Sequence, residues 1–180
     1  MNFEEKTNKS KNIFEGRIIK VQLDEVTLPN GKTSTREIVK HPGAVAIIAV
    51  TENNKIIFVK QYRKALEKTL VEIPAGKLEK GEEPEVTALR ELEEETGYTT
   101  DELNYVTSFY TSPGFADEII YLYETNKLKK LEEKKELDED EFVELMELSI
   151  SEAEQLIKNQ EIHDVKTAFA VQFLKSKGMR

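Results

Sequence analysis

The chain has 180 residues, of which 38% are hydrophobic and 34% charged, with a formal net charge of −9 and no cysteine. That length can build one domain with a proper core. The composition excludes disulfides and thiol chemistry, speaks against non-specific nucleic-acid binding, and offers no apolar run near the roughly 20 residues of a membrane span.

The first dozen residues, MNFEEKTNKSKN, are polar and lack the apolar core of a signal peptide. They read as a loosely held arm, and a cytoplasmic protein is expected. Arg17–Leu28 alternates apolar and polar residues like a half-buried strand. Asn30-Gly31 is a hairpin signal, and Thr33–Val39 is the return strand. Residues 13–40 are thus predicted to form an antiparallel hairpin outside the main core. Residues 1–43 are set apart as an N-terminal element, and 44–180 as the main domain.

Ala44–Thr51 is nearly continuous apolar and predicts a central strand. Asn53-Asn54 turns the chain into a strand over Lys55–Arg63, and Thr69–Pro74 is a short strand leading to an acidic stretch. Beyond that stretch, Val106–Tyr110 and Asp117–Tyr123 read as strands joined through a turn at Thr111-Ser112-Pro113-Gly114. Residues 124–141 are highly charged and read as a solvated segment. Phe142–Leu148 resumes strand alternation, and Ser151-Glu152-Ala153-Glu154 is a capping box for a helix reaching about Asn159. Asp164 caps a last helix over about 165–176. Strands on both sides of a central helix, with helices at the end, describe an α+β or α/β sandwich.

The acidic stretch, Gly76–Tyr98, reads GKLEKGEEPEVTALRELEEETGY. Pro84 suits the first turn of a helix, and Gly97 suits the left-handed position just past its end. On a 3.6-residue wheel Val86, Leu89 and Leu92 fall on one side, while Glu91, Glu94 and Glu95 share another face. These carboxylates crowd the negative end of the helix dipole, and like charges at i and i+4 repel by about 0.2–0.5 kcal/mol per pair. A solvated acidic face is the ordinary reading of such a helix. A bound cation would remove the conflict, and oxygen ligands without Cys or His suit Mg²⁺ or Mn²⁺ rather than zinc.

Gly76, Glu82, Arg90-Glu91-Leu92, Glu94-Glu95 and Gly97-Tyr98 stand at the spacing of the Nudix box. The chain resembles Nudix hydrolases, which cleave nucleoside diphosphates linked to another moiety. The resemblance covers roughly residues 44–178 and implies an α/β/α sandwich with a mixed sheet. Pro113, within Ser112-Pro113-Gly114-Phe115, and the run from Val59 through the box resemble the bacterial ADP-ribose pyrophosphatase branch. An ordinary strand-connecting turn is the alternative reading of Pro113 and Gly114.

The resemblance implies hydrolysis of ADP-ribose to AMP and ribose 5-phosphate, with two or three Mg²⁺ ions, or Mn²⁺ in their place, on the diphosphate. It makes Glu91 and Glu95 the main metal ligands, with Glu94 and the Ala75 carbonyl helping. Glu82 and Arg90 brace the loop–helix–loop, although Glu82 can lie near a metal. Gly76 and Gly97 are its structural glycines. The matching general base lies in Glu139-Asp140-Glu141, with Glu141 favoured over Glu139; the alternative leaves these as solvated loop charges. Arg63 matches a phosphate-contacting arginine, and the competing reading pairs it with Glu67 or Glu72. Arg36, Glu37 and Ile18 match positions that contact adenosine, but the chain has no tryptophan to stack on the base. The hairpin resembles a dimerisation element, implying a homodimer in which each hairpin helps build the partner's adenosine site. The alternatives are a hydrolase of another nucleoside diphosphate sugar such as GDP-mannose, and a non-catalytic nucleotide-binding module, which would carry a damaged box.

Overall fold

The computed structural model describes residues 2–133, 135 and 142–179, and the chain divides into two units. The first holds residues 1–43 and 109–120; the second holds residues 44–108 and 121–180.

The first unit is built on three antiparallel strands in the order β1 (Lys6–Glu15), β2 (Lys20–Thr27) and β3 (Thr33–Lys40). β2 and β3 pair without interruption from Lys20 opposite Lys40 to Thr27 opposite Thr33, and the turn between them holds Gly31 at φ 81°. The predicted hairpin is therefore present, but the N-terminal arm is a third strand. All ten residues of β1 are exposed, and its pairing with β2 slips between Thr7 and Lys9 and between Asn12 and Phe14. A strand with no buried face leaves no alternation to read; beside its main-chain pairing, the Asn8 side-chain amide donates to Thr27 Oγ1 at 3.0 Å. Residues 109–120 join this unit through β3. The Val39 N–H donates to the Phe115 carbonyl at 2.7 Å, and the Asp117 carboxylate accepts from Lys40 Nζ and the His41 N–H, both at 2.9 Å.

In the second unit β4 (Ala44–Ala49), β5 (Ile56–Arg63), β6 (Lys68–Glu72) and β7 (Ala75–Lys77) precede α1 (Pro84–Thr96). Then follow β8 (Tyr98–Thr99), β9 (Asn104–Tyr110), β10 (Ile119–Thr125), β11 (Lys129–Lys130), β12 (Val143–Leu148), α2 (Ile150–Lys158) and α3 (Val165–Ser176). Residues 109–110 of β9 and 119–120 of β10 belong to the first unit. The strands form sheets β7-β4-β10-β9 and β12-β5-β6, with β11-β8 as a separate pair. Val45, Ile47 and Ala49 of β4 are fully buried and share a core with Ile57, Ala88, Leu92 and Tyr123. The charged segment after β10 is less free than its composition suggests: Leu128 packs against this core, and β11 pairs with β8.

The helix ends follow side-chain chemistry. Ser149 caps α2, its hydroxyl accepting from the Glu152 N–H while Glu152 accepts from the Ser149 N–H at 2.8 Å. The capping box thus begins two residues before the predicted one, because Ser149 and Ser151 both have a glutamate three residues on. Asp164 caps α3, accepting from the Thr167 N–H at 3.2 Å, and Thr167 Oγ1 in turn accepts from the buried Ile73 N–H at 3.0 Å. Among the described residues no helix is long and apolar enough to cross a membrane.

Candidate active site

The site is organised by α1. Its bounds are Pro84 at the first turn and Gly97 at φ 72°, whose N–H returns to the Glu93 carbonyl. The predicted apolar face is wrong in one respect: Val86 is 56% exposed. The buried stripe is Ala88, Glu91, Leu92 and Glu95, spaced i, i+3, i+4 and i+7. Two glutamates therefore occupy core-facing positions, at 7% and 2% exposure. Burying Leu92 contributes about 1.5–3 kcal/mol, whereas each buried carboxylate costs several kcal/mol before partners offset it. Partners must therefore meet both carboxylates where the helix packs.

β7 supplies the partners. It pairs with β4, which sets Ala75 opposite Ala46 and Gly76 opposite Val45. The Ala75 N–H donates to Glu95 Oε2 at 2.9 Å. Gly76 lies so close to Glu91 that a Cβ there would overlap the carboxylate. The glycine is needed for the close approach of Glu91, which could not sit as it does beside a residue with a Cβ.

Arg90 binds the box together. Nη1 donates to Glu91 at 2.8 Å and Glu94 at 2.9 Å, while Nη2 donates to Glu82 at 3.3 Å. Thr87 Oγ1 adds a 2.7 Å bond to Glu82. The bond from Arg90, and then that from Thr87, lowers the Glu82 pKa. Burial alone would lower the Arg90 pKa, but Glu82, Glu91 and Glu94 together raise it. Glu93 faces elsewhere, bonded by Thr99 and Lys135.

A second network adjoins the first. Arg63, at the end of β5, donates through Nε and Nη2 to the two oxygens of Glu72, each at 2.8 Å. Glu72 is 2% exposed and also accepts from Lys166 Nζ. Glu67 pairs with Lys64 instead, which decides between the two ion-pair partners weighed for Arg63. Glu95 and Asp164 add charge attraction on Arg63 beyond its bond to Glu72. Burial raises the Glu72 pKa, but Arg63 and Lys166 outweigh it and bring it from 4.5 down to about 2. A carboxyl depressed on folding stabilises the protein above its unfolded pKa and loses that contribution as pH falls through the folded one. Wild type should therefore lose on the order of 3 kcal/mol of unfolding free energy between about pH 4.5 and pH 2 through this group. Glu72→Gln should flatten that part of the curve, as urea unfolding at stepped pH will show; an unchanged slope would contradict the assignment. Sequence reasoning gave Glu72 no role beyond a partner for Arg63 and missed Lys166, because the two stand 94 positions apart with no periodicity linking them.

Glu82, Arg90, Glu91, Glu94, Glu95, Ala75 and Gly76 are brought together in the second unit. Arg36, Glu37, Ile18, Pro113 and Gly114 lie in the first. Arg36 is held there by Glu5, with Nε to Oε2 at 2.7 Å, and Ile18 is half exposed in the β1–β2 connection. Glu37 borders an apolar groove of about 430 Å³ that Ile13, Val21, Ile38 and Phe115 also line. Pro113 and Gly114 sit in an exposed turn closed by the Phe115 and Ala116 N–H groups on the Ser112 carbonyl. Glu139 and Glu141 lie outside the described residues. Among the described residues no three acidic or histidine side chains close around a common point; the Arg90 guanidinium stands between Glu91 and Glu94. The donor set still fits a hard divalent cation: oxygens only, two carboxylates buried at the negative end of a helix, and a glycine cradle against one of them.

A NUDIX domain matches residues 40–168, and a nucleoside diphosphate sugar hydrolase N-terminal domain matches residues 5–39. The chain belongs to the Nudix family. It is 62% identical over 174 residues to an ADP-ribose pyrophosphatase of Bacillus subtilis, covering 97% of this chain and 94% of the relative. It is 64% identical over 172 residues to a methanol dehydrogenase activator of Bacillus methanolicus, covering 96% and 93%. Among solved structures, an ADP compounds hydrolase superposes with a TM-score of 0.84 over 98% of this chain and 97% of that one, at 18% identity, a likeness of fold.

Proposed function

We propose that the chain hydrolyses the diphosphate of ADP-ribose, giving AMP and ribose 5-phosphate, with Mg²⁺ as the ordinary metal, Mn²⁺ as its substitute, and two or three ions per site. The observation that carries this reading is the pair of buried glutamates, Glu91 and Glu95, packed against Ala75-Gly76. The Bacillus subtilis relative gives the substrate.

Divalent ions, when bound, would neutralise the diphosphate and make a nearby water easier to deprotonate. Glu91 and Glu95 would hold them, with Glu94 and the Ala75 carbonyl. Arg90 balances Glu82, Glu91 and Glu94 and keeps the last two aligned. Arg63 presents a planar fork that fits phosphate oxygens as well as it fits Glu72. Glu141, with Glu139 as the alternative, accepts the proton of the attacking water. The water oxygen bonds to one phosphorus as that phosphorus–bridging-oxygen bond breaks, and the second phosphate leaves with the bridging oxygen.

In the first unit Arg36, Glu37 and Ile18 would contact adenosine, and Pro113 and Gly114 would border the substrate. The sheet of β1–β3 would exchange between two copies in a cytoplasmic homodimer. Removing residues 1–40 should then give monomers with little activity; a truncated chain that stays dimeric in light scattering and keeps its rate would end that part of the reading.

Initial rates with Mg²⁺ on ADP-ribose, GDP-mannose and NADH test the substrate. ADP-ribose should be preferred by at least about tenfold in kcat/KM, the net worth of one hydrogen bond. Preference for GDP-mannose would retain the chemistry and discard the substrate. A second reading comes from the Bacillus methanolicus relative: an action on a partner enzyme. Methanol dehydrogenase assayed with and without the chain tests it.

A further inference from the structure

Glu72 is a buried carboxylate with two cationic partners, and the two differ. Arg63 spans both its oxygens at 2.8 Å, yet the arginine side chain is 41% exposed at the end of a strand. Lys166 is only 10% exposed and is also bonded to Asp164 Oδ1 at 3.0 Å. Its backbone is fixed by the first turn of α3, where Asp164 is the cap and the neighbouring Thr167 accepts from the Ile73 N–H. Asp164 Oδ2 is buried without a hydrogen-bond partner, so this end of the network carries spare acceptor capacity for the lysine. A buried carboxylate cannot give up its sole counter-charge without stranding its own charge. Glu72 can give up Arg63, because Lys166 remains.

We propose that Lys166 is a positioning residue: it keeps Glu72 paired, so that Arg63 can leave Glu72 and bind the diphosphate of the substrate. The inference rests on the reading of Arg63 as a phosphate-binding group. The exchange is like for like, since a phosphate offers the guanidinium the same two-oxygen edge as the carboxylate it leaves. Lys166 touches neither phosphate nor metal in this scheme and acts only through Glu72. Its loss would leave Glu72 with Arg63 alone, and the arginine would stay where it is.

The test is a set of steady-state measurements on the full chain with ADP-ribose and Mg²⁺, with thermal melts confirming folding. Lys166→Met should raise KM about tenfold, the cost of one charge-assisted bond, with kcat within about twofold of wild type. Lys166→Arg should restore KM. In an Arg63→Ala/Glu72→Gln background, which strands no charge on residue 72, Lys166→Met should add no further rise. An unchanged KM in Lys166→Met, or an equal rise when Arg63 is absent, would overturn the proposal. If Lys166→Met fails to fold, Glu72→Gln and Glu72→Gln/Lys166→Met replace it, the second removing both buried charges. Each should show a KM at or below that of wild type, because Arg63 is already released; a KM as high as that of Arg63→Ala would refute release. A wild type that cleaves only another nucleoside diphosphate sugar defeats the ADP-ribose reading alone, and the comparison is then run on that substrate. A wild type that cleaves none defeats both.

Discussion

Glu95→Gln should lower kcat by about 10²–10³-fold, the scale seen when one preorganised electrostatic group is removed from an active site. The amide is isosteric and still offers an oxygen to the Ala75 N–H, so the 2.9 Å bond that fixes its position can persist. What disappears is one negative charge from a side chain that is 2% exposed. Added Mg²⁺ should raise the melting temperature of wild type and leave that of the variant unmoved, by the linkage between ligand binding and stability. Equal Mg²⁺ shifts in the two proteins, or a variant that retains its rate, would remove Glu95 from the metal site.

Gly76→Ala should be nearly as damaging, for a steric reason. The added methyl falls on the Glu91 carboxylate, so that end of the side chain must leave its place or β7 and the helix must part. β7 is held to β4, and Leu92 of the helix is fully buried, so it is the Glu91 carboxylate that gives way. The stability cost then stays below the roughly 1–3 kcal/mol of rigid overpacking, while a displacement of about 1 Å at reacting groups can cost about 10²-fold in rate. Gly81→Ala is the control. At φ 85° it is strained, but its Cβ meets nothing within 4 Å, so it should cost about 1 kcal/mol of stability with the rate retained. Circular dichroism melts and initial rates on both variants separate strain from collision. A Gly76→Ala protein with a normal rate would mean that Glu91 does not need its observed place.

The box was legible because its chemistry is local. Pro84 and Gly97 mark the helix ends through backbone constraints that any sequence must obey, and α1 begins and ends at them. The stripe on that helix was harder to read. Hydrophobicity selected Val86, whereas the structure buries Glu91 and Glu95 in line with Ala88 and Leu92. A pattern search that treats carboxylates as surface residues must miss this burial. β1 was read as an arm because it buries no side chain, and β11 was hidden in a charged run because its tie to β8 is made by main chain. The Glu72–Lys166 bond joins β6 to α3 across most of the domain sequence, and such non-local charge pairs have no periodic trace. Overlapping capping boxes at Ser149 and Ser151 are a different case: the local signal is present twice, and the helix starts at the earlier one.

The most direct measurement is phosphorus NMR of ADP-ribose incubated with the wild-type chain, first in a chelator and then with Mg²⁺ added. The diphosphate resonances should persist in the chelator and give way, once Mg²⁺ is present, to those of AMP and ribose 5-phosphate in equal amounts. Cleavage in the chelator at the same rate would contradict a metal held by Glu91 and Glu95, and a diphosphate that survives with Mg²⁺ would contradict the proposed reaction itself.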